Sequence, residues 1–130
     1  MNQKLVYVSL IVRDYDEAIE YYTKKLNFYL IEDTKLSDTK RWVVVSPSGA
    51  KETSILLSKA STSEQKNFIG NQTGGRVFLF LHTDNFWEDY DSLRIKGINF
   101  IENPREEECG IVVVFEDIYG NKWDLIQLKK

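Results

Sequence analysis

Few side chains in this sequence could do chemistry, and Asp124 has the setting that is hardest to explain as plain surface. It lies inside the apolar run Trp123-Asp124-Leu125-Ile126, where a charge needs a partner or a cavity. The bland alternatives are a surface carboxylate, or one paired with a Lys or Arg across a sheet. Facing a cavity without a cation, Asp124 would hold its proton more tightly than usual and could serve as a base or a hydrogen-bond partner. His82 is the single histidine, so a site with two imidazoles cannot be built within one chain. Its ordinary reading is a hydrogen-bonded structural residue. Cys109 follows Glu106-Glu107-Glu108, an acidic setting that does not favour a nucleophilic thiolate, and the acidic run itself reads as a solvated loop. Trp42, beside Arg41, could stack a planar ligand or sit in a core. The chain has no Gly-rich phosphate loop, no Ser-His-Asp set and no zinc-type cysteine spacing.

The elements that must position these residues fit one domain of 130 residues, long enough for a real core. The chain is 42% hydrophobic and 28% charged, a globular balance. With 17 Lys and Arg against 20 Asp and Glu, the formal charge is −3, which argues against a nucleic-acid partner. No apolar run reaches the roughly 18 residues of a membrane helix, and the first residues lack a signal-peptide cleavage site, so no membrane partner is expected. One cysteine cannot make an internal disulfide, which fits a reducing cytoplasm. Asn71-Gln72-Thr73 matches a glycosylation acceptor and is read as loop chemistry.

Along the chain, Leu5–Val12 reads as a strand and Tyr15–Leu26 as a helix, with apolar residues at 15, 18, 19, 22 and 26. Asp14 is placed as N-cap, Glu17 completes a capping-box pattern, and Asn27 ends the helix in a left-handed conformation. Phe28–Glu32, Trp42–Ser46 and Ser54–Ser58 read as strands, with a turn at Pro47-Ser48-Gly49. After a polar connector the order returns: strand Val77–His82, N-cap Asp84, helix Phe86–Lys96, stop Gly97, strand Ile98–Glu102. A hairpin closes the chain, Ile111–Phe115 and Trp123–Leu128 around a tight turn at 116–121. At an offset of 70, Asp14 falls on Asp84, Asn27 on Gly97 and Ile31 on Ile101. This is a βαβββ unit written twice, each too small to bury its own sheet face. The expected fold is α+β: two βαβββ modules, about 4–59 and 75–128, joined by a polar loop 60–74 within one domain. They would form a curved mixed β-sheet cleft with the helices on its outer face.

Alternation assigns faces. In the first strand Tyr7, Ser9 and Ile11 point one way and Val6, Val8, Leu10 and Val12 the other. The second set is uniformly apolar, as packing on a helix requires. The first is mixed, which suits either a ligand-binding wall or a wet sheet rim. With Val77 and Leu79 taken toward the cleft in the second module, His82 turns toward the helix.

The segments V-R-D-Y-D-E-A-I-E-Y-Y and K-L-N-F at the start and D-I-Y-G-N-K-W-D-L-I-Q at the end resemble the vicinal oxygen chelate superfamily. That group includes glyoxalase I, bleomycin resistance proteins and extradiol dioxygenases. The resemblance runs from Val6 to Gln127 and implies paired βαβββ modules, a U-shaped cleft and, commonly, a homodimer. Metal-dependent members carry ligands at four places, which fall here on Tyr7, Ser54, Val77 and Asp124. A valine offers no donor and a neutral tyrosine little, so no cofactor is expected, with a divalent metal as the alternative. The resulting expectation is a cytoplasmic protein that binds a small aromatic or amphipathic molecule through Tyr7, Ser9, Ile11, Trp42, Val77, Leu79 and Asp124. The alternative is a glyoxalase-type lyase, isomerase or dioxygenase with a non-standard site centred on Asp124.

Overall fold

Alternation in β1 (Tyr7–Val12) sets the first layer: Leu10 and Val12 are fully buried while Tyr7 and Ser9 are exposed. The computed structural model describes residues 1–49 and 51–130, which form two compact units, Met1–Ile69 and Gly70–Lys130. In the first unit β1 runs parallel to β4 (Ser54–Lys59). β4 is antiparallel to β3 (Arg41–Ser46), and β3 to β2 (Tyr29–Lys35), giving the order β1-β4-β3-β2. Helix α1 (Tyr15–Glu20) starts where Asp14, in extended conformation, accepts a hydrogen bond from the Glu17 amide at 2.9 Å. It buries Tyr15, Ala18 and Tyr22 on the face that Leu10, Val12, Val43, Val45 and Leu57 also supply. The helix ends in a π-helical turn, Tyr21–Lys25, and then in Asn27 at φ 62°.

The second unit repeats the order. β5 (Leu79–His82) runs parallel to β9 (Lys122–Leu128), β9 is antiparallel to β8 (Gly110–Glu116), and β8 pairs with β6 (Asn99–Phe100) and β7 (Arg105–Glu107). Helix α3 (Phe86–Ile95) buries Phe86 and Leu93. Its Tyr90 ring meets Phe100 at 4.7 Å, and Phe115 stacks on Trp123 at 5.7 Å. The βαβββ order expected from the sequence is therefore present twice. Strand pairing among the described residues stays within each unit, giving two mixed sheets.

Three local readings are corrected. The connector is not all loop: Thr62 accepts from the Gln65 amide, and the Gln65 side chain accepts from Ser61, which caps a short helix α2 (Ser63–Asn67). The acidic run is not all loop either, since Glu106 and Glu107 lie in β7. The strand expected over Ile98–Glu102 pairs only at Asn99–Phe100. Beyond it the Glu102 side chain takes the Val114 amide at 3.1 Å, where a backbone carbonyl would continue the ladder.

The fourth correction decides the site. The N-cap of α3 is Asn85, not Asp84, so the first helical residues Tyr15 and Phe86 stand 71 positions apart. The left-handed helix ends, Asn27 and Gly97, stand 70 apart. The π-helical turn of the first module accounts for the one extra residue, because an i→i+5 turn is a single-residue insertion in an α-helix. An offset of 70 therefore holds at the helix ends and fails at the helix starts, and β5 is displaced by one residue.

Candidate functional site

In the first unit the register sets Tyr7 beside Ser54, Ser9 beside Leu56 and Ile11 beside Ser58. The Ser9 and Ser58 hydroxyls are 2.7 Å apart and hydrogen-bonded. Tyr7 reaches across β4 to meet Trp42 edge-to-face, with ring centroids 5.7 Å apart. Trp42 is half-buried rather than core, and Tyr7 retains 42% of its surface. Tyr7, Ser9 and Ile11 thus share the sheet face that α1 leaves open, as alternation predicted, and Trp42 joins them there. Arg41 is spent elsewhere: Asp33 and Asp16 bind its guanidinium at 2.7 and 2.9 Å, and it lies over the Tyr15 ring. The hydrogen bonds to Asp33, reinforced by Asp16, hold it above the usual arginine range.

In the second unit Asp124 lies beside Phe80 on β5 and Val114 on β8. Its neighbours along β9, Trp123 and Leu125, are buried on the opposite, helix-bearing face. Gln127 shares that face, where its side chain accepts from the Phe86 amide at 2.8 Å and donates to the Asp84 carbonyl at 3.1 Å. Gln127 thereby caps α3, the role the sequence suggested for Asp84.

Leu79 pairs with Trp123 and Leu81 with Leu125, so Leu79 lies on the helix-bearing face and is separated from Asp124. Val77 precedes β5. The residues of β5 that accompany Asp124 are Phe80 and His82, both exposed. The expected grouping of Val77 and Leu79 with Asp124, and of His82 with the helix, is therefore reversed by one residue of register.

Asp124 Oδ1 is buried and has no hydrogen-bond partner. Burial pushes its pKa above the ordinary carboxylate range; the Arg105 charge opposes this and the Glu102 charge adds to it. Arg105 is itself engaged, with its Nε on both Glu102 oxygens at 3.0 and 3.1 Å and an Nη on Glu107. The hydrogen bonds to Glu102, with Glu107, raise the guanidinium above its usual range. Arg105 sits opposite Val112 on β7, so Glu102, Arg105 and Glu107 border the Asp124 face. Sequence reasoning missed Phe80, Ser58 and this acidic clamp. Ser58 follows from alternation in β4, and Phe80 follows once the repeat is aligned on the buried helix starts, Tyr15 and Phe86.

The turn before β9 fixes the strand. Asp117 is buried and accepts from the Tyr119 and Asn121 amides at 2.9 and 3.0 Å, the Asn121 side-chain amide at 2.9 Å and the Trp123 indole at 3.3 Å. Gly120, at φ 97°, takes the left-handed position the reversal needs.

Of the four places where related metal-dependent proteins carry ligands, Tyr7 and Ser54 are in-register neighbours, while Asp124 neighbours Phe80 rather than Val77. Among the described residues no group of three or more His, Cys, Asp or Glu side chains could hold a metal ion. A phenol with a hydroxyl in one unit, and a carboxylate beside a phenyl ring in the other, do not fit a divalent transition metal.

Comparison with known proteins agrees with this fold. The profile of the Glyoxalase/Bleomycin resistance protein/Dioxygenase superfamily matches residues 4–125. The chain belongs to that superfamily. It is 57% identical over 129 residues to an uncharacterized protein of Shewanella frigidimarina (strain NCIMB 400), covering 98% of this chain and 96% of the other. The crystal structure of UcmS2 superposes with a TM-score of 0.85 at 29% identity, covering 97% of this chain and 98% of the other. TnmS3, an antibiotic binding protein from Streptomyces sp. CB03234, superposes with a TM-score of 0.77 at 25% identity, with 98% of each chain covered. No helix among the described residues is long and apolar enough to cross a membrane.

Proposed function

We propose that this chain is a binding protein that takes up a small aromatic or amphipathic molecule on the open sheet face of its first unit, without a catalytic metal. The supporting observation is the exposed Tyr7–Trp42 edge-to-face pair on the same face as the Ser9–Ser58 hydroxyl pair. Rigid rings give apolar contact at small entropic cost, and neutral hydroxyls orient a polar substituent without demanding a charge. The antibiotic-binding description of TnmS3 supports the same class of role. The protein acts as a cytoplasmic homodimer in this reading. The edge strand β2, with Tyr29, Leu30 and Ile31 all exposed, is a surface that pairing would cover.

The test is fluorescence titration with N-phenylnaphthylamine, a neutral aromatic probe. Saturable binding, weakened at least about tenfold (about 1.4 kcal/mol) by Trp42→Ala in a variant that still folds, is the expected result. Absence of saturable binding to the native protein would overturn the reading. Elemental analysis addresses the enzyme alternative: near-stoichiometric metal that is lost on Asp124→Ala would replace binding with a glyoxalase-type reaction. Sedimentation at micromolar concentration should show a dimer, and a monomeric mass would remove that part.

A further inference from the structure

The second sheet face differs from the first in carrying an apolar body and a carboxylate side by side. Phe80 is 66% exposed although it sits within β5, and its in-register neighbour is Asp124. Val114 flanks Asp124 on the other side, and Ile126 with Val112 forms the next row. An exposed phenyl ring over a half-apolar floor is surface that a ligand body could cover. Asp124 Oδ1 meanwhile lacks any donor, although it is buried. A buried acceptor left unsatisfied in a native protein asks for a missing partner.

The surrounding charge says which partner. Arg105 is the cation whose charge reaches Asp124, and it is held by Glu102 through Nε and by Glu107 through one Nη. Three carboxylates (Asp124, Glu102 and Glu107) therefore stand against one guanidinium. Glu116 and Lys122 are in register with each other farther along the same strands and offset each other. His82 lies one row beyond Phe80. An anion would meet net repulsion here. A neutral ring would leave the carboxylate unmatched. A metal ion would find one free carboxylate between a phenyl ring and a valine.

We propose that the Asp124 face of the second unit binds the protonated amine of an amphipathic organic cation, with Phe80 covering its apolar part. The inference rests on the reading of this chain as a small-molecule binder, and it concerns a different face. An ammonium group supplies both the N–H donors that the carboxyl lacks and the charge that offsets Asp124 once it is ionised. The Phe80 ring adds a cation–π contact. Because burial raises the proton affinity of Asp124, the amine must displace a proton at low pH and does not need to once the carboxyl is ionised. Affinity therefore climbs with pH and then levels off. The groups facing Asp124 during that titration are Glu102, Arg105 and Glu107 at its border, His82 on β5, and Glu116 and Lys122 along β8 and β9.

The test compares naphthylmethylamine with its neutral isostere naphthylmethanol, by calorimetry on the full chain. The amine should bind saturably at neutral pH and at least about tenfold more tightly than the alcohol (about 1.4 kcal/mol). Asp124→Asn, confirmed folded by circular dichroism, should remove that preference. Phe80→Leu should weaken the amine several-fold. Equal affinity of amine and alcohol, or a preference that survives Asp124→Asn, would overturn the proposal. If the amine fails while N-phenylnaphthylamine still binds with dependence on Trp42, this inference falls and the binding role of the first unit stands.

Discussion

The two modules agree on the helix-bearing side of each sheet and differ on the other side. Leu10, Val12, Tyr15 and Tyr22 in one, and Phe86, Leu93, Trp123 and Leu125 in the other, are all buried between helix and sheet. On the opposite faces the first module presents Tyr7, Ser9, Trp42, Ser54 and Ser58, with Glu32 at the end of the Ser9 row. The second presents Asp124 beside Phe80, bordered by Glu102, Arg105 and Glu107. The helix starts differ as well: Asp14 caps α1 from within, and Gln127 caps α3 from a neighbouring strand. Packing constrains one side of each sheet, while the other side is free to acquire chemistry.

The largest expected effect tests whether the second module's strand pair depends on its turn. Asp117 satisfies four donors, two from the backbone and two from the Asn121 and Trp123 side chains. Replacing it with Ala would leave these donors buried and unmatched, and should cost about 3 kcal/mol. Urea denaturation would measure it. A loss below about 1 kcal/mol would mean that β8 and β9 hold their register by side-chain packing alone.

A smaller effect separates the two caps. Asp14→Ala should cost about 1 kcal/mol, the usual worth of an N-cap. Asn85 occupies the N-cap position of α3 but makes no side-chain cap bond, so Asn85→Ala should cost only a few tenths of a kcal/mol. Gln127→Ala should cost about 1 kcal/mol, because it uncovers the Phe86 amide. Equal losses for Asp14→Ala and Asn85→Ala, with none for Gln127→Ala, would erase this difference between the modules.

Much of this was legible in the sequence, and the failures have a common origin. The repeat, the α+β class and the open face of the first unit follow from period-two and helical spacing, which record packing directly. The second face was misassigned because Asp84 looks like a cap by residue type, while the chain uses Asn85 and a glutamine 42 positions further on. A cap supplied from another strand leaves no local signal. The π-helical turn hid the error by restoring the offset of 70 at the helix ends. The helix at Ser63–Asn67 was readable, since Thr62 and Gln65 form a capping box. The clamp of Arg105 by Glu102 and Glu107 was not, because those residues meet through a broken strand that no periodicity announces.

The smallest expected effect uses pH to tell the two faces apart. Burial raises the pKa of Asp124 in the folded protein, while the unfolded chain keeps an ordinary value near ~3.9. Between those two pKa values the folded state holds more protons than the unfolded state, so stability falls as pH rises through that window. Above the raised pKa the carboxylate is charged in both states, and the penalty is constant. Below the ordinary value it is protonated in both, and the penalty vanishes. Asp124→Asn cannot titrate. Its stability relative to the native protein should therefore grow on going from acid to neutral pH. Ser9→Ala, in the first unit, should show a difference that does not change with pH, because neither the serine nor its partner Ser58 ionises in this range. Thermal denaturation of both variants across that pH range measures the contrast. A flat profile for Asp124→Asn would mean that Arg105 screens the carboxylate despite its bonds to Glu102 and Glu107.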